Sequence, residues 1–198
     1  MTNLWSSDAL EDWQLALKSY EDVLSQQGVE RLPERDRWYR HELPATISTR
    51  QPAHVTLSEL VRVTEWKMAR GVWRARNLAL VRGNAPELVV QTSAAALAKI
   101  PHATAPIAGL AQLAGVGPAT ASAIAAAATP GVYPFFDELV VAQIPHSEKL
   151  TYTLSYYARY AAALRERADR LAHRWTPVMV ERALWAHVGG KAKARVIV

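Results

Sequence analysis

Two short stretches hold the residue types best placed to do chemistry: Leu113-Ala-Gly-Val-Gly-Pro-Ala-Thr-Ala121, and the carboxylate of Asp137, twenty residues after Gly117. Gly115 and Gly117 free the backbone for positive φ and for close approach to a partner. Pro118 opens a helix whose unpaired N–H groups and positive dipole end suit a phosphate oxygen. Gly115, Val116, Gly117, Ala119 and Thr120 are therefore candidate phosphate-backbone contacts. Gly-x-Gly alone fits an ordinary turn between helices equally well. Asp137 stands after Tyr133 and Phe136, a lone acid among aromatics, where it can cap the helix that starts there.

A second stretch, Glu65-Trp66-Lys67-Met68-Ala69-Arg70-Gly71-Val72-Trp73-Arg74-Ala75-Arg76, interleaves indoles with cations. An enzyme that takes a base out of the stack needs aromatic faces to hold it and cations for the phosphates. Trp66, Trp73, Tyr133 and Phe136 are candidates for the first task; Lys67, Arg70, Arg74 and Arg76 for either. For Trp66 and Trp73 core packing is an equal reading. Lys67 fits a pocket wall or a solvated surface.

The composition agrees with an anionic partner. The 198 residues carry a net charge of +5 and a pI near 9.6. Positive charge concentrates over residues 57–82 and 159–174, a pattern expected of a nucleic-acid footprint. The absence of cysteine excludes disulfides, thiolate zinc sites and cysteine-ligated clusters. The six histidines show no zinc spacing, so no metal site is expected. No apolar run reaches membrane-span length and no secretory leader is visible. A cytoplasmic protein is expected, or a nuclear one from a eukaryotic source.

These residues need helices to position them, and strand signals are nearly absent. Apolar spacing predicts a helix over residues 7–26, and a short one over 35–42 that stops before Pro44. Thr56-Leu-Ser-Glu59 is a capping box opening a helix to Arg70. Further helices are predicted over 72–81, from an Asn84 cap to 99, and over 105–114, 118–129, 137–143 and 147–173. A last one runs from Thr176-Pro177 to Gly189-Gly190, followed by a loose tail, 190–198. Tyr152, Tyr156 and Tyr160 form an i, i+4, i+8 stripe expected to face the core. The chain reads as one all-α domain, residues 1–198.

The string at Leu113–Ala121 resembles the helix-hairpin-helix motif, here over about residues 106–129. Phe136-Asp137-Glu138-Leu139-Val140 is similar to the apolar-Asp step that follows the hairpin in the helix-hairpin-helix DNA glycosylase superfamily. With Trp38-Tyr39…Glu42-Leu43-Pro44 and the Trp-Lys…Arg-Gly…Trp-Arg string, the likeness extends over residues 36–145. It is to a poorly characterised cysteine-free group of that superfamily. The resemblance implies a two-lobed helical bundle, a double-stranded DNA partner, and catalysis by Asp137. A fixed carboxylate beside C1′ would stabilise the charge that develops on the deoxyribose as its base departs. Glu138, one residue off the motif, ranks behind it. Bifunctional members carry a nucleophilic lysine where this chain has Ala119, so the resemblance implies base removal without a lyase step. It also implies no cofactor, apart from a monovalent cation at hairpin carbonyls near Gly115 and Gly117. No protein partner is implied, and a monomer is expected.

The leading expectation is thus a monofunctional DNA glycosylase, its base unspecified; removal of modified cytosines from phage DNA is one niche considered. The alternative is a non-catalytic helix-hairpin-helix module that recognises structured DNA. A third reading, a helical protein-interaction scaffold, would leave the basic stretches without purpose.

Overall fold

Apolar residues three and four apart, with caps at the breaks, dictate a helical chain, and a computed structural model describes one over residues 3–145, 149–172 and 174–191. A 3₁₀ turn at Leu4–Ser6 precedes α1 (Leu10–Lys18) and α2 (Tyr20–Ser25). The single helix expected over 7–26 is split at Ser19, whose hydroxyl donates to Ala16 O at 2.8 Å. Such side-chain bonds to the preceding turn compete with helix propagation. Both pieces still bury the predicted face through Trp13, Tyr20 and Leu24.

α3 (Leu32–Arg37) passes through a π turn, Trp38–Glu42, into α4 (Leu43–Ser48). The predicted stop before Pro44 does not occur. The π turn pairs Leu43 N–H with Trp38 O, and Pro44 then falls in the opening turn of α4, where a missing N–H costs nothing.

α5 (Leu57–Arg70) opens on the predicted capping box: Glu59 N–H donates to Thr56 Oγ1 at 3.3 Å and Thr56 N–H to Glu59 Oε2 at 2.8 Å. α6 (Ala75–Arg82), α7 (Pro86–Leu97), α8 (Ala105–Leu110) and α9 (Pro118–Ala128) follow. α7 starts without a side-chain cap, so the expectation for Asn84 fails; its amide is used elsewhere. A single turn, α10 (Glu138–Val141), leads on to α11 (Leu154–Leu171) and α12 (Pro177–His187). α11 begins at a Thr153 cap rather than at residue 147, which leaves Tyr152 outside it. The tail expected over 190–198 lies beyond Lys191 outside the described residues.

The elements share one connected core. α12 packs on α1, α2, α10 and α11, while α5 packs on α3, α6 and α9. The small residues from Ala119 to Ala127 are all buried, which lets α9 lie close to its neighbours. Trp13, Trp66 and Trp185 are fully buried among them. Among the described residues no helix is long and apolar enough to cross a membrane.

Candidate functional site

The turn between α8 and α9 is fastened from below. Gly115 has φ +75°, and a Cβ there would meet Asn77 O at 2.5 Å and Val81 Cγ2 at 2.9 Å on α6. Only glycine satisfies both conditions. Asn84 completes the fastening: its Oδ1 accepts from Ala114 N–H at 2.9 Å and its Nδ2 donates to Ala114 O at 3.0 Å. An asparagine that reads as a helix cap in sequence instead buttons α6 to the turn.

Gly117 differs from Gly115. Its φ is −96°, not the expected positive value, and a Cβ would meet nothing within 4 Å. It keeps an exposed approach to the α9 N-terminus, where the N–H groups of Gly117, Ala119 and Thr120 have no acceptor among the described residues. Val116 does not contribute as expected: its side chain is buried and its N–H donates to Leu113 O at 3.1 Å. The Thr120 side chain is buried as well, so only its backbone N–H is available.

Beyond α9 the chain returns through an extended segment, residues 132–136, tethered carbonyl by carbonyl. Arg165 donates to Val132 O at 3.0 Å, Tyr157 to Pro134 O at 3.2 Å and Tyr160 to Phe135 O at 2.7 Å. Phe136 N–H donates to Ser122 Oγ on α9 at 2.9 Å. Phe136 packs within a cage of Tyr152, Tyr156, Tyr157 and Tyr160. The tyrosine stripe thus faces the core through Tyr156 and Tyr160, whereas Tyr152 is half exposed at the rim of a pocket. Tyr133 is not a pocket residue: it is fully buried and its hydroxyl donates to His102 O.

Asp137 follows directly. Its Oδ1 accepts from Leu139 N–H at 2.8 Å, capping α10, and its Oδ2 lies 3.4 Å from Arg70 Nε. That contact is an ion pair without hydrogen-bond alignment, since Arg70 Nε has no hydrogen-bond partner. Arg70 is itself buried, paired through Nη2 with Glu181 of α12 and bonded through Nη1 to Tyr20 Oη. It was expected to reach phosphates; it is an interior counter-ion between Asp137 and Glu181. For Trp66 the core reading holds, not the base-holding one. It is fully buried, stacked on Tyr39 at 3.6 Å between centroids, with its indole N–H on Asp36 at 2.8 Å.

Asp137 is only 7 % exposed, yet it lines a pocket with Lys67, Arg70, Arg74, Ala119, Phe136, Glu138, Tyr152 and Lys191. Burial pushes its carboxyl pKa above the usual aspartate value; Arg70 pulls it back only in part, and Glu181 adds to the rise. Lys67 of α5 lines the same pocket. Burial, with Arg74 nearby, holds its ammonium pKa below the usual lysine value against the pull of Glu138 and Asp137. An ion pair between Glu138 and Lys191 closes one side. The cavity, about 60 Å³, has room for one or two water molecules at roughly 30 Å³ each. Tyr152 and the Glu138–Lys191 pair border it.

Val72 and Arg74 border the pocket, and with Trp73 and Arg76 they belong to an exposed run that passes from the α5–α6 connection into the first turn of α6, Trp73 being 50 % exposed. Several of the other expected cations have partners. Arg62 stacks on Trp38, Arg82 pairs with Glu65, and on α11 Arg167 binds Asp8 while Arg170 binds Glu166. Within 159–174, Arg165 and Arg167 are thus tied to distant parts of the fold, while Arg170 and Arg174 are exposed.

Among the described residues no His, Asp or Glu group is arranged to hold a metal ion. The turn carbonyls of Leu113, Ala114 and Gly117 already accept N–H donors.

Sequence reasoning missed Asn84, Ser122 and Glu181 as positioning residues. Glu181 did leave a signal: it is a lone acid beside Val180, Ala183 and Leu184 on the buried face of its helix.

No family model, curated protein or solved structure matches the chain.

Proposed function

We propose that the protein is a DNA glycosylase that receives a flipped nucleotide in this pocket and hydrolyses its glycosidic bond. The two-lobed helix-hairpin-helix glycosylase architecture is part of that reading. The observation that carries it is the convergence of Asp137 and the open N-terminus of α9 on one pocket, through Ala119. Free N–H groups at a helix start suit a DNA phosphate. A carboxylate in a water-sized, partly desolvated cavity suits a sugar that gains positive charge. In that geometry Asp137 orients the attacking water, the base leaves from C1′, and an abasic site remains. Arg74 and Arg76 neutralise neighbouring phosphates, and Trp73 stacks in the gap left by the flipped nucleotide.

The deciding experiment is a panel of duplexes, each with one altered base, scored for alkali-cleavable abasic sites. The panel includes uracil, alkylated purines, mismatches and glucosylated hydroxymethylcytosine. Release of one base, lost in Asp137→Asn, is the expected result.

A second reading has a specific observation in its favour. Asp137 is ion-paired with Arg70 and caps α10, and both are structural duties. On that reading the protein is a DNA-binding module without chemistry, and it gives salt-sensitive affinity with no abasic product from any duplex.

A further inference from the structure

A second cavity shares no lining residue with the Asp137 pocket. It measures about 460 Å³, within the size range of small-molecule sites. Residues of α2, α3, the π turn and α12 wall it.

Three arginines meet there with unmatched charge. Arg182 makes no hydrogen bond or ion pair among the described residues, and its guanidinium lies 4.4 Å from the centroid of the Tyr20 ring. Its Nε is buried without a partner. Burial and the neighbouring Arg40 push its pKa below the usual arginine value, against the pull of Tyr20, Asp36 and Glu181. The Arg40 side chain is only 7 % exposed. Its Nη2 donates to Tyr20 Oη at 3.0 Å and to Glu181 Oε2 at 3.5 Å. Its buried Nε has no hydrogen-bond partner, and its Nη1 donates to no described group. Arg37, three residues earlier, is exposed and likewise unpaired among the described residues.

The acids of the cavity do not balance these cations. Asp36 Oδ1 accepts from Tyr20 Oη and Trp66 Nε1 at 2.8 Å each, and it pairs with Arg40. Glu34 is bonded twice by Arg31. Glu21 remains, and it is exposed.

We propose that this cavity binds a small phosphate monoester, its phosphate held by Arg182, Arg37 and the free N–H groups of Arg40. Planar guanidinium forks match phosphate oxygens in pairs. A monoester is close to a dianion at neutral pH, so it neutralises Arg182 and Arg37 together and relieves the repulsion between Arg182 and Arg40. A bare phosphate fills only part of the volume, and the organic portion of the ester takes the rest.

The test is calorimetric titration of the full chain at low ionic strength with ribose 5-phosphate, inorganic phosphate and ribose. We expect one-to-one binding of ribose 5-phosphate, weaker binding of phosphate and none of ribose. Arg182→Ala should lower the affinity for ribose 5-phosphate roughly tenfold or more, and Arg37→Ala about threefold or more. Arg170→Ala, at an exposed position of α11, should leave it unchanged. Arg37 is exposed, so its variant decides the point even where Arg182→Ala folds poorly. No saturable binding of ribose 5-phosphate, equal binding of ribose, or affinity unchanged in Arg37→Ala and Arg182→Ala overturns the proposal. A loss of binding in Arg74→Ala alone places the anion at the Asp137 pocket and overturns it too. The glycosylase reading stands or falls separately, since none of these titrations scores base release.

Discussion

Ser122 Oγ on α9 receives the backbone N–H of Phe136 at 2.9 Å, so the hairpin helix directly holds the residue that precedes the candidate catalytic carboxylate. DNA contact and acid placement are thereby linked through one hydroxyl. Ser122→Ala leaves the Phe136 N–H without a partner in a dry interior. The expected cost is about 1–3 kcal/mol, read as a lower Tm, with turnover falling more than DNA affinity. A variant whose Tm and turnover both match the parent would remove the link.

Asp137→Asn keeps the shape of the site and removes its charge. Turnover on the true substrate should fall on the order of 10²–10³-fold, with DNA affinity retained. The active form is the carboxylate, and burial raises its pKa above the ordinary value of 3.8. The acid limb of the rate profile should therefore lie above the usual aspartate range. Folding favours the protonated form, so the contribution of Asp137 to stability is present below its unfolded pKa and is lost as pH rises through the folded one. The Tm of Asp137→Asn relative to the parent should accordingly increase from acid to neutral pH. Thermal scans across that range check the sign.

The two glycines of the turn should separate fold from binding. Gly115→Ala forces a Cβ against Asn77 O at φ +75°. Overpacking costs about 1–3 kcal/mol and the left-handed backbone about 1–2 kcal/mol more. Gly117→Ala meets nothing and needs no unusual φ, so its stability should change by no more than about 0.5 kcal/mol. Its methyl group is nonetheless added at the exposed residue that leads into the free N–H groups of α9, and DNA affinity should drop. Equal effects of the two substitutions on Tm would contradict this division.

Trp66 and Trp73 should behave oppositely. Trp66→Ala empties a fully buried site and costs about 3–5 kcal/mol. Trp73→Ala should leave Tm nearly unchanged and weaken binding to duplexes that carry a flipped or abasic nucleotide. Denaturant unfolding and a binding titration on each variant decide the pair.

Arg74 and Arg76 are exposed, and Arg74 borders the pocket. Each change to Ala should reduce the slope of log affinity against log salt by about one. Arg167→Ala, by contrast, should act on stability, because that side chain is tied to Asp8 and Trp5 O. Titrations at several salt concentrations separate these effects.

What could be read from the sequence were the local features. The capping box at Thr56, the glycine-cornered turn and the Asp137 cap depend on neighbours within a few residues, and residue type alone announces them. Features that join distant parts of the chain stayed hidden. Arg70 meets Glu181 across more than a hundred residues, and Asn84 meets Ala114 across thirty. A cation in a basic stretch looks solvated until the helix bearing its acid is folded against it. Arg70 was misread for that reason; of the two readings open for each tryptophan, Trp66 takes the core one, while Trp73 and Arg74 lie on an exposed segment. Pro44 was read as a terminator because a π turn leaves no compositional trace.

The phenols of Tyr157 and Tyr160, with Arg165, grip three carbonyls of the segment that delivers Asp137, so α11 acts as a jig for the acid. Grafting the glycine turn and Asp137 onto another scaffold without that helix would leave the carboxylate adrift. Engineering of specificity belongs instead in residues 72–77, where the chain is exposed and a new side chain can alter reach while the acid keeps its seat.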